Sequence, residues 1–314
     1  MGGYDTISLW LPAERAGSTY PLNIIPSYLS RAESKSDQYG QTSVSGYIGQ
    51  TLKVKVTDQG VSLRGSLSKY FWNDGLHDLT RGDTQKAIQK ISDELHLPVN
   101  LAKVNSLHYA VNLITKYCPT AYFPQLGESK YLKRSIFGSS LYYTNDTRQM
   151  ILYDKVQELR KTRSKLPKAM EGANIFRIEY RGKNRLRDQF NRPEITASLL
   201  YQEDFYIDVV DKLMMEYNRI DKLRTINFNL DNMTSPKDFW KQAQADWIKR
   251  TGGEYKALEL VEQLRNQNAF QKKEYYSRLK KEIKHLCREP HTTDKSELIE
   301  ELDRKMEMVV RSYR

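Results

Sequence analysis

Three short segments in the middle of the chain carry residue types that could act on a phosphodiester. The first has the pattern Tyr-x-Lys-x-x-Glu at Tyr153, Lys155 and Glu158. A tyrosine hydroxyl has a pKa of about 10, so its attack on phosphorus requires loss of that proton or a more electrophilic phosphate. Lys155, which we expect on the same strand face as Tyr153, could lower the pKa of the phenol or hold the phosphate. Taken alone, a strand tyrosine is more often a packing residue, and the chain has 21 tyrosines.

The second and third segments alternate polar and apolar residues as strands do. Residues 174–181 place Arg177, Glu179 and Arg181 on one face, which predicts either a solvent-exposed ladder of ion pairs or the floor of an active site. Residues 105–115 have a small polar face that includes His108. A histidine on such a face is more often a hydrogen-bonded core residue than a metal ligand, and both interpretations remain open.

Other common catalytic signatures are absent from the sequence. It has no G-x-x-x-x-G-K-[ST], G-x-G-x-x-G, H-E-x-x-H or G-x-S-x-G motif, and none of its five histidines forms an H-x-H pair. Nucleotide-driven motors and standard hydrolases are therefore excluded. Cys118 and Cys287 are far apart and in no metal-binding spacing, so we expect free thiols in a reducing compartment.

The charge of the chain favours a polyanionic partner. Its 50 lysines and arginines exceed its 39 acidic residues by 11, and residues 148–192 alone hold 13 basic against five acidic residues. This block contains Arg185 and Arg187, and a second basic and aromatic segment contains Lys130, Lys133 and Arg134. Such segments suit DNA phosphates and stacked bases, although a solvated helix face accounts for the composition equally well.

Hydrophobic periodicity predicts the elements that must position these residues. We predict strands over 4–11, 105–115 and 174–181, and hairpins that pair 51–57 with 60–66 and 142–145 with 149–155. We predict helices over 83–96, with Asp83 as the cap, and over 159–165, 238–251, 255–266, 272–287 and 295–313. These predictions divide the chain into a catalytic domain over 1–221 and a helical domain over 222–314. We expect the helical domain to serve DNA contact or oligomerisation. No segment approaches the roughly 20 apolar residues of a membrane span.

The order of these segments resembles the filamentous-phage gene II/X family of replication initiators, met in phages and plasmids. It resembles more distantly the staphylococcal-type rolling-circle plasmid initiators. The resemblance rests on the Tyr153 pattern, the Arg-x-Glu-x-Arg strand and the segment around His108. Tyr4-Asp5-Thr6-Ile7 and Gly65-Ser66-Leu67-Ser68-Lys69 match as well, and the likeness covers about Tyr4 to Asp221.

The resemblance implies an α+β fold, in which a largely antiparallel sheet with flanking helices, an HUH or Rep-like nicking domain, precedes an all-α domain. It implies that Tyr153 is the nucleophile, with Lys155 beside it, and that Glu158 and Glu179 bind Mg²⁺ or Mn²⁺. His108 stands where the phage family has aspartate, and imidazole is a competent ligand for Mn²⁺. The basic residues expected to contact DNA are Arg177, Arg181, Lys130, Lys133, Arg134, Arg185 and Arg187.

We therefore expect a rolling-circle replication initiator that nicks and rejoins origin DNA through a 5′-phosphotyrosine in the cytoplasm of a bacterial host. The DNA is single-stranded or supercoiled duplex, and a host helicase and a second copy of the chain are further candidate partners. A relaxase or single-strand transposase would use the same chemistry. A DNA-binding copy-control protein without catalysis is the alternative from a different class.

Overall fold

A ten-stranded antiparallel sheet forms the centre of the protein in the computed structural model. The structure describes residues 2–17, 24–36, 38–40, 42–162, 164, 167–226, 235–288 and 293–313. The strands, in their order across the sheet, are β2 (Ser30–Ser36), β3 (Thr42–Ile48), β4 (Leu52–Thr57), β5 (Gly60–Ser66), β1 (Gly2–Pro12), β6 (Lys103–Thr115), β11 (Asn174–Gly182), β10 (Arg148–Asp154), β9 (Ser140–Thr144) and β8 (Lys133–Phe137).

Helices surround this sheet, and two short strand pairs lie outside it. The pairs join β7 (Leu126–Ser129) with β12 (Ile220–Lys222) and β13 (Arg224–Ile226) with β14 (Thr293–Lys295). The helices are α1 (Leu67–Trp72), α2 (Arg81–Leu95), α3 (Lys155–Lys161), α4 (Leu186–Phe190), α5 (Glu203–Asn218), α6 (Pro236–Arg250), α7 (Glu254–Asn266), α8 (Lys273–Leu286) and α9 (Glu297–Arg311). This architecture confirms the predicted α+β fold. Within the described residues, no helix combines the length and apolar character that crossing a bilayer requires.

The core lies on one face of the central strands. Leu107, Tyr109 and Val111 of β6 alternate with small or polar residues and are fully buried. Tyr109 packs edge-on against Tyr4 of β1 and Tyr206 of α5, with ring centroids 5.7 Å apart in both pairs. Edge-to-face packing of this kind adds to the free energy of apolar burial. The opposite face of the same strands is thereby left for the polar residues of the candidate site.

Most predicted elements are confirmed, and the differences have local causes. The residue that caps α2 is Thr80, not Asp83. The Thr80 hydroxyl accepts a hydrogen bond from the Asp83 backbone N–H, and the Asp83 carboxylate accepts one from the Thr80 backbone N–H, which completes a capping box. The predicted strand through Lys155 is wrong at its end, because β10 stops at Asp154. Asp154 Oδ1 accepts from the Gln157 backbone N–H at 3.0 Å and starts α3 there, earlier than the predicted start at residue 159.

The C-terminal helices divide into two groups. Helices α6 to α8 form a separate small core with Ile248, Val261, Tyr276 and Ile283 at its centre. Helix α9 instead contributes Ile299, Leu302, Met306 and Val309 to the main core. The predicted domain boundary between residues 221 and 222 stays a prediction. The packing places α9, the last helix, in the same core as the sheet. Helix α5, which we did not predict, belongs to the main core as well.

Candidate active site

Tyr153 lies at the centre of a polar cluster on the face of the sheet opposite the core. It sits on β10 directly across from Arg177 of β11, and only 9% of its surface is exposed. Its hydroxyl donates a hydrogen bond to Glu179 Oε2 at 3.2 Å. Burial raises the pKa of the phenol well above its ordinary value, and the charge of Glu179 adds to this shift although Arg177 opposes it. The phenol is therefore protonated in this arrangement.

Glu179 is the hub of the cluster. Its carboxylate is 1% exposed, and both oxygens are engaged. Oε1 lies 2.7 Å from Arg181 Nε and 3.2 Å from His108 Nδ1, while Oε2 accepts from Tyr153. Burial by itself would raise the pKa of this carboxyl, but the His108 hydrogen bond and the two arginines hold the pKa well below its usual range. Glu179 is thus an anion that orients the phenol and is a weak base.

Arg177 connects this hub to the first strand of the chain. Its guanidinium donates to Asp5 Oδ2 at 2.6 Å and to Asn112 Oδ1 at 3.2 Å. Asp5 in turn accepts from the Ser66 hydroxyl at 2.8 Å. The side-chain amide of Asn112 also donates to Asp78 Oδ1 at 3.2 Å. Burial raises the pKa of Asp78 to about 6.

Sequence reasoning assigned no role to Asp5, Ser66, Asp78 or Asn112. Two of them lie in segments that carry the family resemblance, Asp5 in Tyr4-Asp5-Thr6-Ile7 and Ser66 in the segment 65–69. The resemblance of these segments is the signal that could have identified both residues. The charged face of β11 is buried, so of the two predicted interpretations the exposed ladder is wrong.

Lys155 and Glu158 form a second pair beside the cluster. Lys155 is the first residue of α3, so the predicted placement on a strand face with Tyr153 is wrong. Its ammonium is almost fully buried and donates to Glu158 Oε2 at 2.8 Å. Burial and the nearby Arg177 charge lower the pKa of Lys155. A buried lysine with a lowered pKa is a stronger acid than a surface lysine, which suits proton donation.

The donor set does not form a ready metal site. Of the three predicted ligands, Glu179 and His108 lie together, whereas Glu158 is held by Lys155. Two arginines already neutralise Glu179, and a cation there would have to displace them. Across the described residues, no three His, Cys, Asp or Glu side chains converge as metal ligands do. The residues as arranged therefore do not fit Mg²⁺ or Mn²⁺.

The predicted DNA-binding residues fall into two groups. Lys130, Lys133, Arg185 and Arg187 are exposed and available to a phosphate. Arg134 instead donates to the carbonyl oxygens of Phe123 and Leu126 and stacks on the Tyr255 ring, so it joins the sheet to α7. Within residues 148–192, carboxylates pair with Arg148, Lys155, Arg177, Arg181 and Arg192. The local positive surplus is thus partly neutralised by folding.

The match to a protein family covers most of this structure. Residues 4–216 match the family described as replication-associated protein G2P, N-terminal. The chain belongs to this family. The G2P match confirms the predicted resemblance and supports replication initiation as the function. It spans every residue of the Tyr153 cluster and ends within α5, so α6 to α9 lie outside it. No curated protein matches the sequence.

Proposed function

We propose that the chain starts rolling-circle replication by nicking and rejoining origin DNA through a phosphotyrosine formed at Tyr153. The observation that carries the proposal is the hydrogen bond from the Tyr153 hydroxyl to a carboxylate that is fixed by two arginines and a histidine. A tyrosine placed only for packing does not need a charged partner held so firmly. The family membership supports the replication role.

The proposed step exchanges one phosphodiester for another. The Tyr153 oxygen bonds to phosphorus, the P–O3′ bond breaks, and the 5′ phosphate remains on the enzyme. The phenol loses its proton to water. The departing O3′ gains a proton, and the buried Lys155 ammonium can donate it. Solvent then reprotonates the Lys155 amine. Because no net proton or high-energy cofactor is consumed, attack by a 3′ hydroxyl reverses the step and rejoins the strand.

Arg177 and Lys155 supply the positive charge for this step. A phosphodiester that approaches Tyr153 brings a negative charge, and the transition state spreads more charge over the phosphate oxygens. Arg177 lies directly across from Tyr153, and its orientation is fixed by Asp5 and Asn112. The phosphate itself is an anion and raises the pKa of the phenol further, so these cations must neutralise its charge before the tyrosine can attack.

Metal dependence remains part of the proposal. Mg²⁺ or Mn²⁺ would supply Lewis-acid stabilisation of the phosphate, with Glu179 and His108 as the candidate ligands that lie together. As arranged, the described donor set does not fit a cation, so a metal ion would have to displace Arg181 from Glu179 before it could bind. Origin DNA in the bacterial cytoplasm is the proposed substrate, and a host helicase and a second copy are further proposed partners.

The deciding experiment is a nicking assay on the supercoiled DNA circle that encodes this chain. With Mn²⁺ added to the assay, we expect open-circular DNA and a protein–DNA adduct that survives denaturation. Neither product should form with the Tyr153→Phe variant. Sequencing the DNA end in the adduct locates the nick. A wild-type protein that binds the circle but never nicks it would contradict the proposal.

One observation favours the non-catalytic DNA-binding alternative. Tyr153 is nearly buried in its pairing with Glu179, as a structural tyrosine would be. The same assay separates the two functions, because only the enzyme leaves a covalent adduct. A replication test separates an initiator from a relaxase or a transposase. Only an initiator should sustain replication of the DNA circle that encodes it.

A further inference from the structure

A segment that follows β5 lines the cluster around Tyr153. It comprises α1 and the loop to α2, residues 67–80, and is called the α1 wall below. At its start, the Ser66 hydroxyl caps α1 and donates to Asp5 Oδ1 at 2.8 Å. Near its end, the Asn112 amide donates to the Leu76 carbonyl at 3.1 Å. Both anchors, Asp5 and Asn112, also hold Arg177, so the α1 wall is fixed relative to the reacting tyrosine.

Apolar packing holds the same segment against α3. Leu76 lies in a small buried cluster with Val156 and Leu159 of α3 and Ile175 of β11. Since Lys155 is the residue before Val156, this cluster places the loop next to the catalytic lysine. The α1 wall is therefore attached to the site by hydrogen bonds on one side and by burial of apolar surface on the other.

Two lysines converge on Gly75 in this loop. A Cβ atom added to Gly75 would lie 3.0 Å from Lys69 Cε and 3.6 Å from Lys155 Nζ. The φ angle of Gly75 is not in the left-handed region, so backbone strain does not require glycine here. A side chain at this position would instead press against the Lys69 side chain, which already lies over the glycine. A flexible, partly exposed lysine such as Lys69 suits contact with a phosphate.

Two aromatic rings lie on the same segment, at positions 72 and 77. Trp72, the last residue of α1, is 42% exposed and packs edge-on against Phe71, with centroids 4.8 Å apart. The His77 ring lies 5.9 Å from the Trp72 ring and is held by Asp74, whose Oδ2 is 2.5 Å from His77 Nδ1. These contacts fix the Trp72 ring while much of its surface faces solvent. A fixed, exposed indole is a platform on which a nucleobase can stack.

We propose that the α1 wall is a single-strand DNA subsite in which Lys69, beside Gly75, contacts a backbone phosphate and Trp72 stacks on the neighbouring base. The proposal rests on the proposed attack by Tyr153, because it assigns this subsite to the nucleotides beside the scissile phosphate. Charge complementarity selects the occupant: the wall joins a cationic side chain to an aromatic face, and single-stranded DNA offers anionic phosphates and unpaired bases.

The stacking role is tested by binding, which requires no chemistry. The probe is a fluorescein-labelled oligothymidylate of about 12 nucleotides, within the usual footprint of single-strand binding sites. We expect Trp72→Ala to raise the dissociation constant by about 5- to 150-fold, the range that loss of one stacked base gives, and Trp72→Phe to restore most of the affinity. Trp240→Ala is the matched control, since Trp240 is 66% exposed on α6.

The phosphate contact is tested by two further variants. Lys69→Gln should lower the slope of log affinity against log salt by about 0.7, the value expected when a single-strand phosphate is no longer neutralised. Gly75→Ala should weaken binding because the methyl group would push the Lys69 side chain out of its position. Its control is Gly82→Ala, since a Cβ atom at Gly82 meets no atom within 4 Å.

Failure of this inference and failure of the proposed function give different results. If the wild type forms the covalent adduct and Trp72→Ala binds and reacts as the wild type does, the subsite is overturned and the function stands. If the wild type forms no adduct but Trp72→Ala loses affinity and Trp240→Ala does not, the nicking function fails and the DNA contact stands. Equal losses in Trp72→Ala and Trp240→Ala would also overturn the subsite.

Discussion

The Tyr153 hydroxyl and the Glu179 carboxylate form a hydrogen bond of 3.2 Å between adjacent strands, on the face of the sheet turned away from the core. The same carboxylate is paired with Arg181 and His108, so the phenol is held against an anion that is already neutralised. This arrangement aligns the tyrosine but keeps its proton in place. Activation then requires a positive charge or a base that reaches the phenol together with the DNA.

Replacement of Tyr153 by phenylalanine should abolish adduct formation and leave the fold intact. The ring keeps its packing, and the loss of one buried hydrogen bond costs about 1 kcal/mol of folding free energy. Denaturing gels on labelled origin DNA measure the adduct, and urea unfolding measures the stability. Tyr142→Phe is the control, because Tyr142 lies on the adjacent strand β9. An adduct that forms in Tyr153→Phe at the wild-type rate would show that another residue is the nucleophile.

Neutralising Glu179 should weaken the fold as well as the activity. Glu179→Gln leaves the partly exposed Arg181 without its carboxylate and leaves the buried Arg177 with Asp5 as its carboxylate partner, and breaking a buried ion pair from one side costs about 3–5 kcal/mol. Glu171→Gln, which removes an exposed acid from the same basic block, should change the free energy of unfolding little. Chemical denaturation of the three proteins measures the difference. Equal stability of Glu179→Gln and wild type would mean that the cluster does not act as an ion-pair network.

The low pKa of Glu179 predicts an acid limb in the stability of the protein. The pKa of this carboxyl is lowered in the folded state, so its stabilising contribution is complete above the unfolded pKa of about 4.3 and is lost as the pH falls toward the folded value. The melting temperature of the wild type should therefore drop between about pH 4.3 and pH 2. Glu179→Gln should show a shallower drop in that window. Parallel curves for the two proteins would contradict the assignment.

Removal of Arg181 tests whether Glu179 and His108 can bind a cation. If they can, a metal ion must displace the Arg181 guanidinium, so Arg181→Gln should tighten Mn²⁺ binding by about fivefold or more, because roughly 1 kcal/mol of charge repulsion is removed. Electron paramagnetic resonance of free Mn²⁺ measures the affinity, and Arg185→Gln is the exposed control. His108→Ala in the Arg181→Gln background should reverse the gain. Unchanged Mn²⁺ affinity in Arg181→Gln would place the metal ligands elsewhere.

Within the described part of the basic block, the exposed cations, and not those already paired with carboxylates, should govern the salt dependence of DNA binding. Charge reversal at Arg185 and Arg187 should weaken binding to all DNA sequences alike and lower the salt slope by about 0.7 to 0.9 for each phosphate that the variant no longer neutralises. Arg192→Gln should leave the slope unchanged, since Asp204 and Asp208 already hold that guanidinium at 3.0 and 2.8 Å. Titrations at several salt concentrations test both. A slope that Arg192→Gln lowers as much as the double reversal would contradict this division.

The sequence by itself predicted the candidate nucleophile with part of the polar cluster around it, and most of the secondary structure. Alternation along residues 105–115 and 174–181 identified β6 and β11, because side chains of a strand point to opposite faces in turn. The spacing of Tyr153, Lys155 and Glu158 identified the family and the candidate nucleophile, and residues 4–216 match that family. These signals are local, so they can be read without knowing how the chain folds.

Only the tertiary structure decided which partner each charged residue finds. The sheet order places β1 and β11 on either side of β6, and this brings Asp5 to Arg177 across 172 positions of sequence. It also buries the charged face of β11, although composition allowed an exposed ladder. Such pairings depend on the register of the whole sheet and on burial by distant segments, and no local pattern encodes either. For the same reason α9 packs on the main core while its three neighbours form their own.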